Sequence, residues 1–251
     1  GWLVKLPSDW PWWKFAPFVL ASMAIAAFIT GFMIKKWAPD APGSGIPQVK
    51  VAYHTEHLDF SWRLIFVKFF GGALSIGTGS SLGREGPTIH IGAALASKIA
   101  GFLRMNTDAK ANAVCAGSAA RLAAAFSSPL SGVTLVLEEI AGGKNQNKYA
   151  GRALLAAAVA ASVVYSFTGG TACLPIGPGL PMSWTVLWLS PVVALVAGAA
   201  GLLFQWSTLT LRARAKKSQM AMPVKLALGA LSGGAVALTA FYLTSAAPTW
   251  D

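Results

Sequence analysis

Charged residues are sparse along this chain, and the apolar stretches between them predict its helices. No charge interrupts the run from Phe15 to Ile34, which is about one bilayer long and is closed by Lys35 and Lys36. The longest uncharged run extends from Ala153 to Leu211. A bilayer core of ~30 Å needs only ~20 apolar residues per crossing, so at least two helices lie in this run. They are read as Leu154 to Phe167 and Trp184 to Leu211, divided by the "GGTACLPIGPGLP" turn. A further span is predicted from Leu226 to Pro248. The spans that begin at Phe15 and Leu226 are too long for a signal peptide and lack a cleavage context.

Residues 44 to 140 follow another pattern. Their apolar runs are short, and Gly, Pro and single charges interrupt them: "GSGIPQVKVAYH", "RLIFVKFFGGALSIG", "GPTIHIGAALASKIAGFL", "ANAVCAGSAARLAAAF" and "SPLSGVTLVLEE". Several are too short to span. Broken helices are tolerated at membrane depth only where they are buried in protein or line an aqueous cavity. In transporters, such segments mark the binding site, where half-helix N-termini converge on an anion. The Ala, Gly and Ser of "GSAARLAAAF" and "AGRALLAAAVAAS" let backbones approach closely, as membrane helix interfaces require.

Composition strengthens the membrane reading. The chain is 55% hydrophobic and 12% charged, against about 25% charged in an ordinary soluble domain. Its net charge of +11 does not imply nucleic acid, because the basic residues are dispersed singly and in pairs at the ends of apolar segments. They read as topological markers. Lys35 and Lys36 close the first span, and Arg212, Arg214, Lys216 and Lys217 close a later one, which puts both ends on the cytoplasmic side by the positive-inside rule. The opening "GWLVKLPSDWPWW" reads as an aromatic belt at the opposite face. Cys115 and Cys173 lack metal-ligand spacing and read as structural, reduced cysteines.

Two segments share a design that bears on function: "GSGIP" at residues 43–47 and "GREGP" at residues 83–87. In each, glycines relax the backbone, and a proline then occupies a position suited to the first helical turn, where its missing N–H costs nothing. Each is therefore expected to start a helix with exposed amides. Such an end carries about half a positive charge and binds an anion without a full cation, whereas a bare Arg or Lys would bind too tightly for conduction. Ser44 adds a hydroxyl. Glu85 sits where its own carboxylate can occupy the anion position. Ionised, it competes with the anion; protonated, it frees the site, so one side chain links the two ions. The plainer reading is a helix cap worth ~0.3 to 1 kcal/mol, but acids inside a membrane are rare and usually functional.

"GSGIPQV", "VKFFGGALSIGTGSSLGREGPTIHIGA" and "GSAARLAAAFSSPLSGVTLVLEE" stand in register over residues 43 to 139. They resemble the three signature regions of the CLC family of chloride channels and proton-coupled chloride transporters, and "MIKKWAPDAPGSGIP" resembles the approach to the first of them. The resemblance implies an all-α polytopic membrane protein with broken, tilted helices. Residues 1–251 would form a single membrane-embedded domain, with first-half helices over 12–168 and the first helices of the second half over 184–245. The second-half Gly-x-Phe-x-Pro signature and the later tyrosine that contacts the central anion are absent, so the expectation is an incomplete core, a fragment lacking half of its pore lining.

The resemblance also implies roles. Ser44 would coordinate the central anion, supported by the amides of Gly45 and Ile46; the amides around Arg84, Glu85 and Gly86 would form the outer site. Glu85 would be the gating glutamate. Glu139 falls at the internal proton-accepting position of the exchangers, with Glu138 as an accessory, and this favours proton/chloride exchange. The alternatives are a passive voltage- or pH-gated channel and a non-transporting structural fragment. Implied partners are the lipid bilayer and a second copy in a homodimer whose interface includes Leu130 to Leu137 and Leu154 to Phe167; no nucleic acid is implied. Chloride and protons are the transported ions; no cofactor or metal is implied, and the setting is a bacterial inner membrane. Enzymatic function is not expected, since "GTGSSLGREG" lacks the Lys-Ser/Thr ending of a phosphate-binding loop and no nucleophile or metal cluster is present.

The chain departs from the family pattern at several points. Arg121 stands at a small-residue position and, if buried, needs a partner. Ser127 and Ser128 replace the common Asn-Ala. Lys50 follows "GSGIP" where exchangers often carry an acid, which alters the electrostatics expected around Lys68 unless Lys50 extends to the interface. Lys68 itself matches a buried lysine of the bacterial members. His54, His57 and His90 read as packing or interfacial residues, with His90 one turn beyond Pro87 and near enough to affect the protonation of Glu85.

Overall fold

The computed structural model describes residues 12–80, 82–142, 146–169 and 184–245. The start of the tryptophan-rich opening, nearly all of the "GGTACLPIGPGLP" turn with Cys173, and the end of the Leu226–Pro248 span lie outside the described residues. Among the described residues every regular element is a helix, with no strand.

The helices are α1 (Trp12–Trp37), α2 (Ile46–His54), α3 (Trp62–Gly77), α4 (Glu85–Phe102), α5 (Thr107–Phe126), α6 (Pro129–Val136), α7 (Gln146–Thr168), α8 (Trp184–Lys217) and α9 (Met222–Ser245), with one π-helical turn, Leu137–Ala141, continuing α6. The expected spans occur as α1, α7, α8 and α9, the last described only to Ser245, and α1, α7 and α8 run beyond the expected bounds. Helix α1 continues through Lys35 and Lys36, and α8 through Arg212, Arg214, Lys216 and Lys217. Basic side chains complement the negative end of the helix dipole, and Lys35, Lys36, Arg214, Lys216 and Lys217 sit in the last turns rather than outside them. Helix α7 begins at Gln146, ahead of Leu154, and takes in Arg152, whose side chain is exposed.

Local capping sets several boundaries. Ser61 accepts a bond from the Leu64 amide at 3.2 Å to open α3, and Asn106 Oδ1 accepts from the Ala109 amide at 2.9 Å to open α5. Helix α5 closes at Ser127, which takes a left-handed conformation (φ 53°) and returns its amide to the Ala123 carbonyl.

Contacts divide the chain into two compact units, Gly1–Cys173 with Met222–Asp251, and Leu174–Ala221. In the first, α4 and α5 press together where side chains are smallest. A Cβ on Gly117 would lie 2.6 Å from the Gly92 carbonyl oxygen, and a Cβ on Gly132 of α6 would lie 2.7 Å from the Ala123 nitrogen. Around these contacts Val114, Ala119, Leu122, Ala123, Val133 and Val136 are buried. Helix α9 runs antiparallel to α1, with Pro223 opposite Gly31 and Gly234 opposite Leu20 and Met23. Helix α1 also meets α3, where the Thr30 hydroxyl donates to the Gly71 carbonyl at 3.3 Å.

The second unit holds α8, 34 residues long with Pro191 inside it, or ~51 Å at 1.5 Å per residue. Among the described residues, four helices have the length and composition to cross a membrane: Lys14–Trp37, Tyr149–Thr168, Leu187–Lys217 and Met222–Ala240.

Arg121 corrects an expectation. It is exposed rather than buried, so it requires no internal partner. Gly92 has no side chain, and the Arg121 stem lies in that space, its Cβ 2.9 Å from where a Gly92 Cβ would be. This lets the guanidinium extend outward. Cys115 is fully buried with a free thiol.

Candidate functional site

The backbone before α2 turns through Gly45 at φ 102°, a left-handed conformation that costs glycine little because it has no Cβ. Pro47 falls in the first turn. Two buried or half-buried side chains hold this turn from behind. Lys68 of α3, buried, donates from Nζ to the Gly43 carbonyl at 2.6 Å, and Gln48 donates from Nε2 to the Pro42 carbonyl at 2.6 Å. The first-turn amides of α2 are left without intrahelical acceptors.

Helix α4 begins at Glu85, and Thr88 stabilises its first turn by donating from Oγ1 to the Glu85 carbonyl at 2.9 Å. The two helix starts meet. A Cβ on Gly86 would lie 2.6 Å from the Ser44 carbonyl oxygen and 2.8 Å from the Ser44 Cβ, so only glycine permits this approach. One turn further along α4, His90 lies against Gly45. The half-buried Glu85 carboxylate curls back over Gly83, with Oε2 2.7 Å from where a Gly83 Cβ would sit. Arg84 is directed elsewhere: its guanidinium donates to the Ala125 carbonyl at 2.9 Å, in the last turn of α5, where helix carbonyls carry partial negative charge.

Ser44, Gly45, Ile46, Glu85 and Gly86 are thus brought together where two helices start. Each start carries about half a positive charge. Ser44 brings a hydroxyl-bearing residue to the junction and Glu85, its carboxylate turned over Gly83, stands at the edge of it, an arrangement able to accept a small anion.

Glu139 lies elsewhere, on the π-helical turn that follows Val136 and closes at Gly142 (φ 57°). Such turns recur at functional sites. Glu138 and Glu139 are both exposed. Lys50 places Nζ 4.0 Å from Glu139 Oε2, with the two side chains 45% and 54% exposed. Lys50 therefore reaches the π turn, while Lys68 serves the "GSGIP" turn. Helix α2 links the two places, since Lys50 is one turn, ~6 Å, beyond Ile46. His54, a further turn along, faces Gly142 with Nε2 3.5 Å from where its Cβ would be.

The connection between α2 and α3 is tied to the neighbouring helices. Ser97 of α4 donates its hydroxyl to the Leu58 carbonyl, and Lys110 of α5 contacts Asp59 at 2.5 Å. The Lys110 ammonium holds the Asp59 carboxyl below its ordinary value of 3.8. His57 contacts the Thr55 carbonyl at 2.9 Å in this connection. Among the described residues, no group of three or more His, Cys, Asp or Glu side chains is placed to hold a metal.

Sequence reasoning read Lys68 as buried and His90 as near Glu85, but missed the bonds by which Lys68 and Gln48 support the turn and the contact of His90 with Gly45. The signal for His90 was its spacing: four residues after Gly86, it lies on the same face of α4.

A family model described as voltage gated chloride channel matches residues 26–249. The H(+)/Cl(-) exchange transporter ClcA of Vibrio cholerae is 35% identical over 198 residues, covering 77% of this chain and 42% of that protein. The protein of the same name from Salmonella arizonae is 34% identical over 198 residues, covering 78% and 41%. Among solved structures, a slow cyanobacterial Cl-/H+ antiporter matches with a TM-score of 0.75 at 25% identity, covering 94% of this chain and 55% of that one. The chain spans less than half the length of the two ClcA relatives.

Proposed function

The chain belongs to the voltage gated chloride channel family, and from that premise we propose that the protein carries chloride across a lipid bilayer in exchange for protons. The observation that carries this reading is the meeting of two helix starts at Ser44 and Gly86, with Glu85 in the first turn of one of them. Ser44 and the amides of Gly45 and Ile46 bind the central anion. The amides around Arg84, Glu85 and Gly86 bind the outer one, while the Arg84 side chain anchors the loop to α5. Glu85 is the gate: its carboxylate replaces the outer anion when ionised and withdraws when protonated. Glu139 passes protons to and from the aqueous side, a role supported by its exposure and its place beside α2.

Exchange transport by the ClcA relatives and by the cyanobacterial antiporter supports the coupled mechanism. The family description, a voltage gated channel, favours a second reading in which anions pass without protons. Residues 12–168 supply the first-half helices and 184–245 the first helices of the second half of one membrane domain. The protein acts as a homodimer in a bacterial inner membrane, the setting suggested by its bacterial relatives.

The test is flux from proteoliposomes containing the full-length protein. A chloride gradient drives proton uptake in the unmutated protein, and Glu85→Gln retains anion flux while losing the proton movement. Chloride flux without proton uptake in the unmutated protein identifies a channel. Undiminished proton movement in Glu85→Gln removes Glu85 from the mechanism.

A further inference from the structure

A buried ring beside the anion site has hydrogen-bonding capacity that no protein group uses. His90 is 1% exposed, and neither Nδ1 nor Nε2 has a protein partner. A neutral imidazole carries one N–H donor and one acceptor, and leaving such a group unpaired in the interior costs ~1 to 3 kcal/mol. A buried polar group without a protein partner calls for a water or an ion.

The surroundings of the ring limit where that partner sits. The edge of Phe60 meets the ring with centroids 5.5 Å apart, which closes one side with hydrocarbon. On another side lies Gly45, the residue that opens α2: a Cβ there would fall 2.8 Å from Nδ1. Behind this turn the donors are engaged, Lys68 Nζ with the Gly43 carbonyl and Gln48 Nε2 with the Pro42 carbonyl, while Gln48 Oε1, an acceptor, is likewise buried without a protein partner. A ring serving only as a spacer would carry the desolvation cost for nothing, since a hydrocarbon side chain of similar volume fills the same place.

We propose that His90 is a further binding residue of the anion site, its ring N–H donating through one bound water to the anion held at the α2 N-terminus. This rests on the transport reading given above and extends its site from backbone amides and one hydroxyl to a side chain of α4. It also accounts for the spacing of Gly86 and His90, which face Ser44 and Gly45 in turn.

The test uses the full-length protein in detergent with isotope-labelled histidine. Chloride is titrated against gluconate at constant ionic strength while ring nitrogen signals are followed by NMR and binding is measured by calorimetry. The His90 signal is identified as the one lost in His90→Gln. That signal is expected to move with the midpoint of the calorimetric binding curve. Chloride affinity stays within about twofold in His90→Gln, which keeps a donor, and weakens about tenfold in His90→Met, which does not. If His90→Met does not fold, the NMR titration of the unmutated ring still decides. A His90 signal indifferent to chloride, in protein that binds chloride calorimetrically, overturns the inference and leaves the transport reading standing. Absence of chloride binding by the unmutated protein overturns both.

Discussion

Gly45 shows how one residue meets two demands. Its φ of 102° disfavours any side chain, and its missing Cβ leaves room for the His90 ring. Gly45→Ala is expected to lower thermal stability by more than the ~1 to 2 kcal/mol of a left-handed alanine alone, and His90→Gly in the same molecule should recover part of the loss. Additive losses in thermal unfolding would show that ring and backbone do not compete for space. Ser127 is the opposite case, a side chain held at φ 53° where α5 ends. Ser127→Gly should raise stability by about 0.5 kcal/mol; an unchanged unfolding temperature would show that the serine carries no strain. Asp59 supplies a pH dependence. Lys110 lowers its folded-state value, so its contribution is complete above the ordinary carboxyl value of 3.8 and is lost as pH falls through the lower, folded value. Asp59 is largely exposed, which limits the effect to a few tenths of a kcal/mol. Asp59→Asn should therefore flatten the acid-side fall of the unfolding temperature slightly.

Among the helices, the tightest constraint is the contact of α4 with α5. Gly92 and Gly117 bring the two backbones together, and α4 thereby holds Gly86 against Ser44. A wedge at that contact acts on the proposed anion site from a distance. Gly117→Val is expected to weaken chloride binding strongly or prevent folding, whereas Gly151→Val, at a glycine of α7 with nothing near its Cβ position, should do neither. Equal tolerance of both substitutions in binding and thermal unfolding assays would rule out the close contact. The helix starts at Ile46 and Glu85 were legible in "GSGIP" and "GREGP", because glycine followed by proline dictates local backbone geometry. The π turn carrying Glu138 and Glu139 was not legible: nothing in "VTLVLEE" departs from an ordinary helix.

On the scale of the whole molecule, short α2 links two chemically different places. Its N-terminus meets Gly86 and Glu85, and one turn onward Lys50 approaches Glu139. Anion and proton routes in the proposed mechanism therefore share the α2 end and separate beyond it. Glu139→Gln in the full-length protein should abolish proton movement while chloride flux continues, measured in the same proteoliposomes as Glu85→Gln. Loss of both fluxes would tie Glu139 to the anion route instead. The antiparallel packing of α1 and α9 sets Lys35 and Lys36 near the start of α9, the arrangement expected if basic residues gather on the cytoplasmic side.

Membrane character, the existence and order of the long helices, the two helix starts and the family were determined by the sequence alone. Each depends on local composition, spacing or motif order, and these survive reading in one dimension. Only the tertiary structure decided that Gly86 meets Ser44, that Lys50 reaches Glu139, that Arg121 is exposed and that His90 lies under Gly45. Those contacts join residues distant along the chain, and the packing of several helices at once selects them.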